Sequence, residues 1–237
     1  MINIILGNGE VAGAIKPSIK IPVIYNKGEW ETLNFKDECC LHITIPFNDL
    51  FIDTVVKADE VFSPKITVIH STISPGTTDK IIFNIGRDNI YYSPVMGRHK
   101  DDFKANILYY NKFISGNFNT FCEVKEILKL MNPVHWGENH ESLEYSKIMS
   151  TSYMYYNLVF EKIMHDDCKK NNWDFSKVYL WWNFNYNQGI SKAHPEWRRP
   201  VYEHDDNKLP GGHCLSPNIN LYDNKITGFL KDYEKDN

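Results

Sequence analysis

The chain has 237 residues, of which 42% are hydrophobic, enough for one large domain or two small ones around a packed core. Its 26 basic and 30 acidic residues leave a net charge of -4, which argues against a binder of nucleic-acid backbones. No apolar run reaches the roughly 18 residues of a membrane span, and the start, MINIILGNGE, lacks the basic region of a signal peptide, so neither is expected.

Residues 2–6 read as a buried strand that runs into Gly7-Asn8-Gly9 and then a helix over 11–15, ended early by Pro17. Strands follow over 21–25 and 39–46, the second stopped by Pro46. A helix over 48–60, a strand over 65–70, a helix over 77–85 and a strand over 89–93 continue the alternation. Residues 107–114 read as a strand, 121–131 as a helix and 134–136 as a last short strand. Strands that are nearly all apolar and alternate with helices predict an α/β fold: a Rossmann-type, mostly parallel sheet domain over residues 1–138.

A smaller helical domain is expected over 139–237. Residues 141–170 contain no Pro or Gly and read as one long helix. Leu143, Ile148, Met149, Tyr153, Tyr156, Leu158, Val159 and Ile163 cover more than one of its faces, so it should be central to a domain or a homodimer. Asp174 is placed to cap a helix running through 179–182, and the aromatic run over 179–186 reads as core or interface. Residues 183–213 read as a loop with Gly189, Pro195, Pro200, Pro210, Gly211 and Gly212, and so long a loop is usually functional. The tail over 220–237 holds one short helix. Cys39, Cys40, Cys122, Cys168 and Cys214 show no framework spacing, which fits a reducing, cytoplasmic compartment. Cys39 and Cys40 look like buried strand residues.

Gly7-Asn8-Gly9-Glu10-Val11-Ala12 approximates G-x-G-x-x-G/A after a strand and before a helix. The first glycine permits the turn, the second lets backbone approach a pyrophosphate, and Ala12 allows close helix–sheet contact. Gly7, Asn8, Gly9, Glu10 and Val11 are therefore candidate cofactor-binding residues; the bland alternative is a plain glycine turn. At the end of the second strand an Asp or Glu normally bonds the ribose hydroxyls. Here Asn26 stands in that place, followed by Lys27, which would suit a phosphate. Both NAD and NADP stay open.

Two separated loops carry a resemblance. His70-Ser71-Thr72-Ile73-Ser74-Pro75-Gly76-Thr77-Thr78 follows a strand, and Pro210-Gly211-Gly212-His213-Cys214-Leu215-Ser216-Pro217-Asn218 lies far downstream. Together with Tyr92-Ser93-Pro94, the proline-ended strand over 39–46 and Glu144, Lys147, Tyr156 and Glu161 on the long helix, they resemble the UDP-glucose/GDP-mannose (nucleotide-sugar) dehydrogenase family across residues 1–218. The resemblance implies an N-terminal Rossmann domain, a dimer-forming central helix and two-step, NAD-dependent oxidation of a sugar alcohol through a cysteine thiohemiacetal and thioester. It implies Cys214 as nucleophile, Lys147 as stabiliser of oxyanion charge, and Thr72 as a holder of water or substrate. Pro46, Ser71 and Thr72 fall in its cofactor loops, and Glu161 matches a structural or site-adjacent position. The chain reads as a short, divergent member without the C-terminal sugar-nucleotide domain. Thr151 takes the place of the family's asparagine, Val95 and Met96 stand where a glutamate is expected, and Asn218 replaces an aspartate.

Beside the resemblance, the residues support their own readings. His213 would lower the proton affinity of the Cys214 thiol, or face solvent. Lys147 and Thr151 are an i,i+4 pair on one helix face, and Lys147 would aim at an oxyanion or snorkel to the surface. That pair also resembles the broader β-hydroxyacid dehydrogenases, where a helix lysine assists a single alcohol oxidation. Arg198 and Arg199, beside Trp197, would bind a carboxylate or phosphate of the substrate, as His213 would, or form a solvated turn. His194, His204, His213 and Cys214 match no compact zinc spacing, so no metal is expected. The expected function is NAD(P)-dependent oxidation of an alcohol on a small polar or sugar-like substrate. The alternatives are a non-catalytic nucleotide-binding or scaffold protein on the same fold, or a partial enzyme completed by another chain.

Overall fold

The computed structural model describes residues 1–97, 107–202, 210–211 and 215–236. Among them seven strands form one sheet: β1 (Ile2–Leu6), β2 (Pro22–Tyr25), β3 (Cys39–Ile43), β4 (Ile66–Ile69), β5 (Ile90–Tyr92), β6 (Lys112–Ser115) and β7 (Pro133–Gly137). Their order is β2-β1-β3-β4-β5-β6-β7, and every pairing is parallel except β5 with β6. The strand residues are apolar on both sides because both faces are covered. Ile4, Leu6, Leu41, Ile43, Ile69 and Tyr92 pack on one face with Phe51, Val55, Phe62 and Ile81 of helices α2 (Phe51–Phe62) and α3 (Thr77–Ile85). Ile5, Cys40, Val68 and Tyr91 pack on the other with Ala12 and Ile15 of α1 (Glu10–Ile15) and Val124 of α4 (Phe121–Ile127).

The first crossover is short. Helix α1 has six residues, and Pro17 sits in a 3-10 turn, Lys16–Ser18, directly after it. After β2 the chain crosses back through residues 26–38 without a helix and pairs as β3 on the other side of β1. Cys39 and Cys40 are fully buried in β3.

Beyond β5, two boundaries of the sheet domain differ from the sequence reading; earlier, β3 ends at Ile43 rather than residue 46 and α2 spans Phe51–Phe62 rather than 48–60. The strand expected over 107–114 starts only at Lys112, and Ile107–Tyr109 forms a 3-10 turn. Alternation alone does not make a strand: β6 pairs with β7 only from Lys112 and Pro133 and with β5 only at Ser115 and Tyr92, so residues 107–111 have no ladder partner among the described strands. The helix expected over 121–131 breaks after Ile127 into a tighter turn, Lys129–Met131, and Asn132 follows in the left-handed region at φ 49°.

The chain divides into two compact units, Met1–Lys147 and Ile148–Asn237, joined through the 31-residue helix α5 (His140–Lys170). In the second unit, Tyr155 and Val159 of α5 pack with Leu215 and Ile219 of α7 (Leu215–Ile219) and Leu230 of α8 (Lys225–Asp236). Tyr155 Oη donates to Glu234 Oε1 at 2.7 Å. Asn224 caps α8 by accepting from the Ile226 and Thr227 amides. The tail helix is thus 12 residues long rather than a short one. Asp174 accepts from the Ser176 amide at 3.0 Å, and a wide helical turn, Ser176–Trp181, runs into α6 (Trp182–Ile190). The stretch expected to be loop from residue 183 is therefore helical to Ile190. Asn183 there donates to the Tyr179 carbonyl one turn back, so a run of Asn that favours turns in isolation joins the helix. No helix among the described residues is long and apolar enough to cross a membrane.

Two expected outcomes follow from these placements. Gly7 sits at φ +102°, and an added Cβ would lie 2.9 Å from Thr44 Oγ1 and 3.2 Å from the Thr44 backbone. Gly7→Ala should lower unfolding free energy by roughly 1–3 kcal/mol, read as a lower urea midpoint, and trimming Thr44 should not rescue it because strain and backbone contact persist. Glu161 is 2% exposed, and burial raises its carboxyl to about 7 against the pull of Lys162. Between about pH 4.5 and 7 the folded chain holds a proton there that the unfolded chain releases, so this group's contribution is lost as pH rises, by up to roughly 3 kcal/mol. Urea midpoints across that window should fall in the parent and stay flatter in Glu161→Gln.

Candidate functional site

Strands β1 to β5 run parallel, so their carboxyl ends open on one edge of the sheet. Segments 7–9, 26, 44–46, 71–72 and 93–94 all leave from that edge. The strand order reverses between β1 and β3, which is the switch point where α/β sheets bind ligands. The turn after β1 is built from its neighbours. Gly7 N donates to Tyr25 O at 2.9 Å, Thr44 N donates to Leu6 O at 3.0 Å, and Thr44 Oγ1 donates to Leu6 O at 2.7 Å. Gly7 is thus needed because Thr44 presses on it. Gly9 differs: a Cβ built there meets no heavy atom of the described residues within 4 Å, and Asn8, Gly9 and Glu10 are exposed. Val11 is half-buried and Ala12 is buried against the sheet.

At the end of β2, Asn26 does not stand alone. Its backbone amide donates to Glu29 Oε2 at 2.6 Å and its side-chain amide to both Glu29 oxygens at 3.1 Å. These bonds hold the exposed Glu29 carboxyl below its usual range, the backbone bond most. A carboxylate is therefore present beside Asn26, supplied from three residues further along the chain. Lys27 is exposed on the same turn.

The loop after β4 is tied to the loop after β3: Ser71 Oγ donates to Ile45 O at 2.6 Å, with Pro46 exposed alongside and Thr72 half-buried. It is also tied to α5. Glu144, fully buried, accepts from Gly76 N at 2.5 Å, Thr78 N at 2.8 Å and Thr78 Oγ1 at 2.6 Å, capping the start of α3. Burial nevertheless dominates and raises its carboxyl above the usual range.

Behind this edge runs a row of buried bases that the sequence reading missed. His42 of β3 stacks on His70, with Nδ1 3.1 Å from His70 Nε2. His70 Nδ1 lies 3.0 Å from Ser93 O, and Lys112 Nζ donates to the same carbonyl and to Pro94 O. Burial drives the His42 imidazole down to about 3, with Lys112 adding to the shift, and holds His70 far below its ordinary value. The sequence signal was available: a His and a Lys inside strands whose other residues are apolar.

Lys147 is half-buried on α5, and its charge acts on Lys112. In the second unit, Thr151 Oγ1 donates to Ile148 O at 2.8 Å and accepts from Asn218 Nδ2 at 3.3 Å. Thr151 and Asn218 are thus in direct contact. Arg198 and Arg199 line a cleft of about 590 Å³ with Phe184, Asn187, Gln188 and Ser191. Asn187 clamps the Arg199 backbone through bonds of 2.8 and 2.9 Å, and the Arg199 guanidinium lies 3.7 Å from the Tyr186 ring centre. His213 and Cys214 lie outside the described residues. Among the described residues no cluster of three or more His, Cys, Asp or Glu is arranged to hold a metal ion.

No family model and no curated protein matches the sequence. Solved structures match its fold. The UDP-D-ManNAc dehydrogenase of Pyrococcus horikoshii aligns over 98% of this chain and 68% of its own, with TM-score 0.71 and 16% identity. GDP-mannose dehydrogenase of Pseudomonas aeruginosa aligns over 99% of this chain and 65% of its own, with TM-score 0.63 and 14% identity. The 3-hydroxyisobutyrate dehydrogenase of Mycobacterium tuberculosis aligns over 98% and 92%, with TM-score 0.65 and 11% identity. The chain spans about two thirds of the length of the two nucleotide-sugar dehydrogenases, and its likeness to all three is one of fold.

Proposed function

We propose that the chain is an NAD-dependent oxidoreductase that oxidises an alcohol of a small polar or sugar-like substrate. The observation that carries this reading is the switch-point edge, where Gly9 faces open space beside loops stitched together by Ser71 and Thr44. A dinucleotide fits that edge: Gly7, Asn8, Gly9, Glu10 and Val11 would meet its pyrophosphate, and Pro46, Ser71 and Thr72 its nicotinamide half. When bound, the cofactor supplies a hydride acceptor. Asn26 and Glu29 would meet the adenosine ribose. An ionised Glu29 suits the 2'-hydroxyl and repels a 2'-phosphate, which favours NAD over NADP despite Lys27.

On the substrate side, Lys147 would steady the alkoxide, with Thr151 one helical turn on. Arg198 and Arg199 would hold an anionic group of the substrate in their cleft, with His213 as a further contact. Cys214 enters when an aldehyde is carried on to the acid through a thiohemiacetal. A homodimer is supported by apolar side chains left exposed on α5, where Tyr153 is 60% and Phe160 50% exposed. Its place is the cytoplasm, and no metal takes part.

Calorimetry with NAD and NADP tests the cofactor half. NAD should bind at least roughly tenfold more tightly, about 1.4 kcal/mol, and Glu29→Ala should erase most of that preference. No heat with either dinucleotide, for protein purified free of both, would sink the oxidoreductase reading in favour of a scaffold or of a chain completed by a partner. Where alcohol oxidation is found, C214A should stop it at the aldehyde; acid formation by C214A would remove the thiol from the chemistry.

A further inference from the structure

A row of polar side chains crosses β1, β3 and the end of β4 inside the first unit. Asn3 of β1 donates through Nδ2 to Lys20 O at 3.0 Å. That carbonyl can only accept, so Oδ1 is the Asn3 atom turned to His42. Oδ1 lies 3.3 Å from His42 Nε2, His42 Nδ1 lies 3.1 Å from His70 Nε2, and His70 Nδ1 lies 3.0 Å from Ser93 O. Both ends of the row are therefore acceptors. Three contacts lie between them, and each needs one hydrogen. Two neutral imidazoles bring only two. With hydrogens on His42 Nε2 and His70 Nδ1, two lone pairs face each other in the middle. Moving either hydrogen inward fills the middle and shifts the gap to one end. One more proton completes the row, and the two rings, stacked 13° from parallel, can share its charge.

Charge is opposed here. His42 and His70 are both buried, and burial is the largest effect holding their imidazoles below the ordinary value. The field of Lys112 on β6, which donates to the same Ser93 carbonyl, adds to it. The other described groups on this face of the sheet are neutral. Burial pushes the Cys40 thiol and the Tyr91 phenol up, and α1 and α4 turn Ala12, Ile15 and Val124 to it. The gap between the rings pulls the other way, because a hydrogen bond made only by the charged form favours that form. Neutral pH thus leaves the row one hydrogen short, and acid fills it.

We propose that His42 and His70 form one proton site, in which a single proton from solvent, bound between His42 Nδ1 and His70 Nε2, ties β3 to β4 at the root of the 44–46 and 71–72 loops. The two rings titrate as a unit. A second proton is shut out, since it would set one N–H against another. The site needs no dinucleotide, so it stands or falls apart from the oxidoreductase reading.

The full chain labelled with 15N in its histidine rings reads this by NMR as the pH is lowered. His42 and His70 should move in one step, with a common midpoint below about 6.5. Separate midpoints, or no uptake by either ring before the fold is lost, would overturn the proposal. His42→Gln brings an uncharged amide hydrogen to His70 Nε2, so His70 should no longer titrate in the folded variant. Unfolded histidines take up protons near their ordinary value while the folded row resists, so stability falls as the pH drops. Between about pH 6.5 and the common midpoint, the unfolding constant should climb up to about tenfold more per pH unit in the parent, which resists two protons, than in His42→Gln, which resists one. Equal slopes, or a His70 midpoint that does not move in the variant, would also overturn it. If His42→Gln does not fold, the parent spectrum decides alone.

Discussion

When a chain builds its second strand on one side of the first and its third strand on the other, no connection covers the first strand's carboxyl end. Here β2 and β3 flank β1 in that way, and the uncovered place is occupied by the Gly7–Gly9 turn. The return through residues 26–38 is helix-free, so it delivers Asn26 and Glu29 to the same edge instead of burying them under a second crossover. The glycines divide the work imposed by that geometry. Gly7 makes room for Thr44 inside the protein, while Gly9 leaves room outside it.

Charge is sorted along the depth of this edge. The exposed Glu29 carboxylate sits at its surface beside Asn26, and the buried Glu144 carboxyl sits under the α3 cap, where amides and a hydroxyl hold it. Bases sit beneath it: His42 contacts His70 and the Asn3 side chain, and backbone carbonyls accept from His70 and Lys112. Burial opposes charge on each of these groups, so the interior layer is polar but close to neutral. Such a layer orients hydrogen bonds without adding a field of its own to the surface where an anionic ligand would lie.

Much of the fold was legible because each parallel strand is short, apolar and bounded by turn residues: Ile2–Leu6 before Gly7, Cys39–Ile43 before Pro46, Ile66–Ile69 before His70. What failed was the pairing partner. Ile107 to Asn111 has strand chemistry but no ladder partner among the described strands, and the Asn-rich run from Asn183 has turn chemistry but a side-chain bond one turn back within the helix. For the site, the glycine turn and the Ser71–Thr72 loop could be read as local motifs. Glu29 could not, because its meaning depends on a turn that folds it back onto Asn26. Nor could the row from His42 to Lys112, whose members are scattered over 70 positions of sequence and become neighbours only through β3, β4, β5 and β6.

The Glu144 cap also has a temporal meaning. The amides of Gly76 and Thr78 find their acceptor 68 and 66 residues further along the chain. A ribosome adds on the order of 5–20 residues each second, so the first turn of α3 emerges several seconds before the carboxylate that completes it. During that interval β1 to β4 can pair through contacts already synthesised, but the Ser74–Gly76 turn has open donors and no lock. The switch-point edge is thus assembled early and rigidified late, when the long helix arrives and closes its far side.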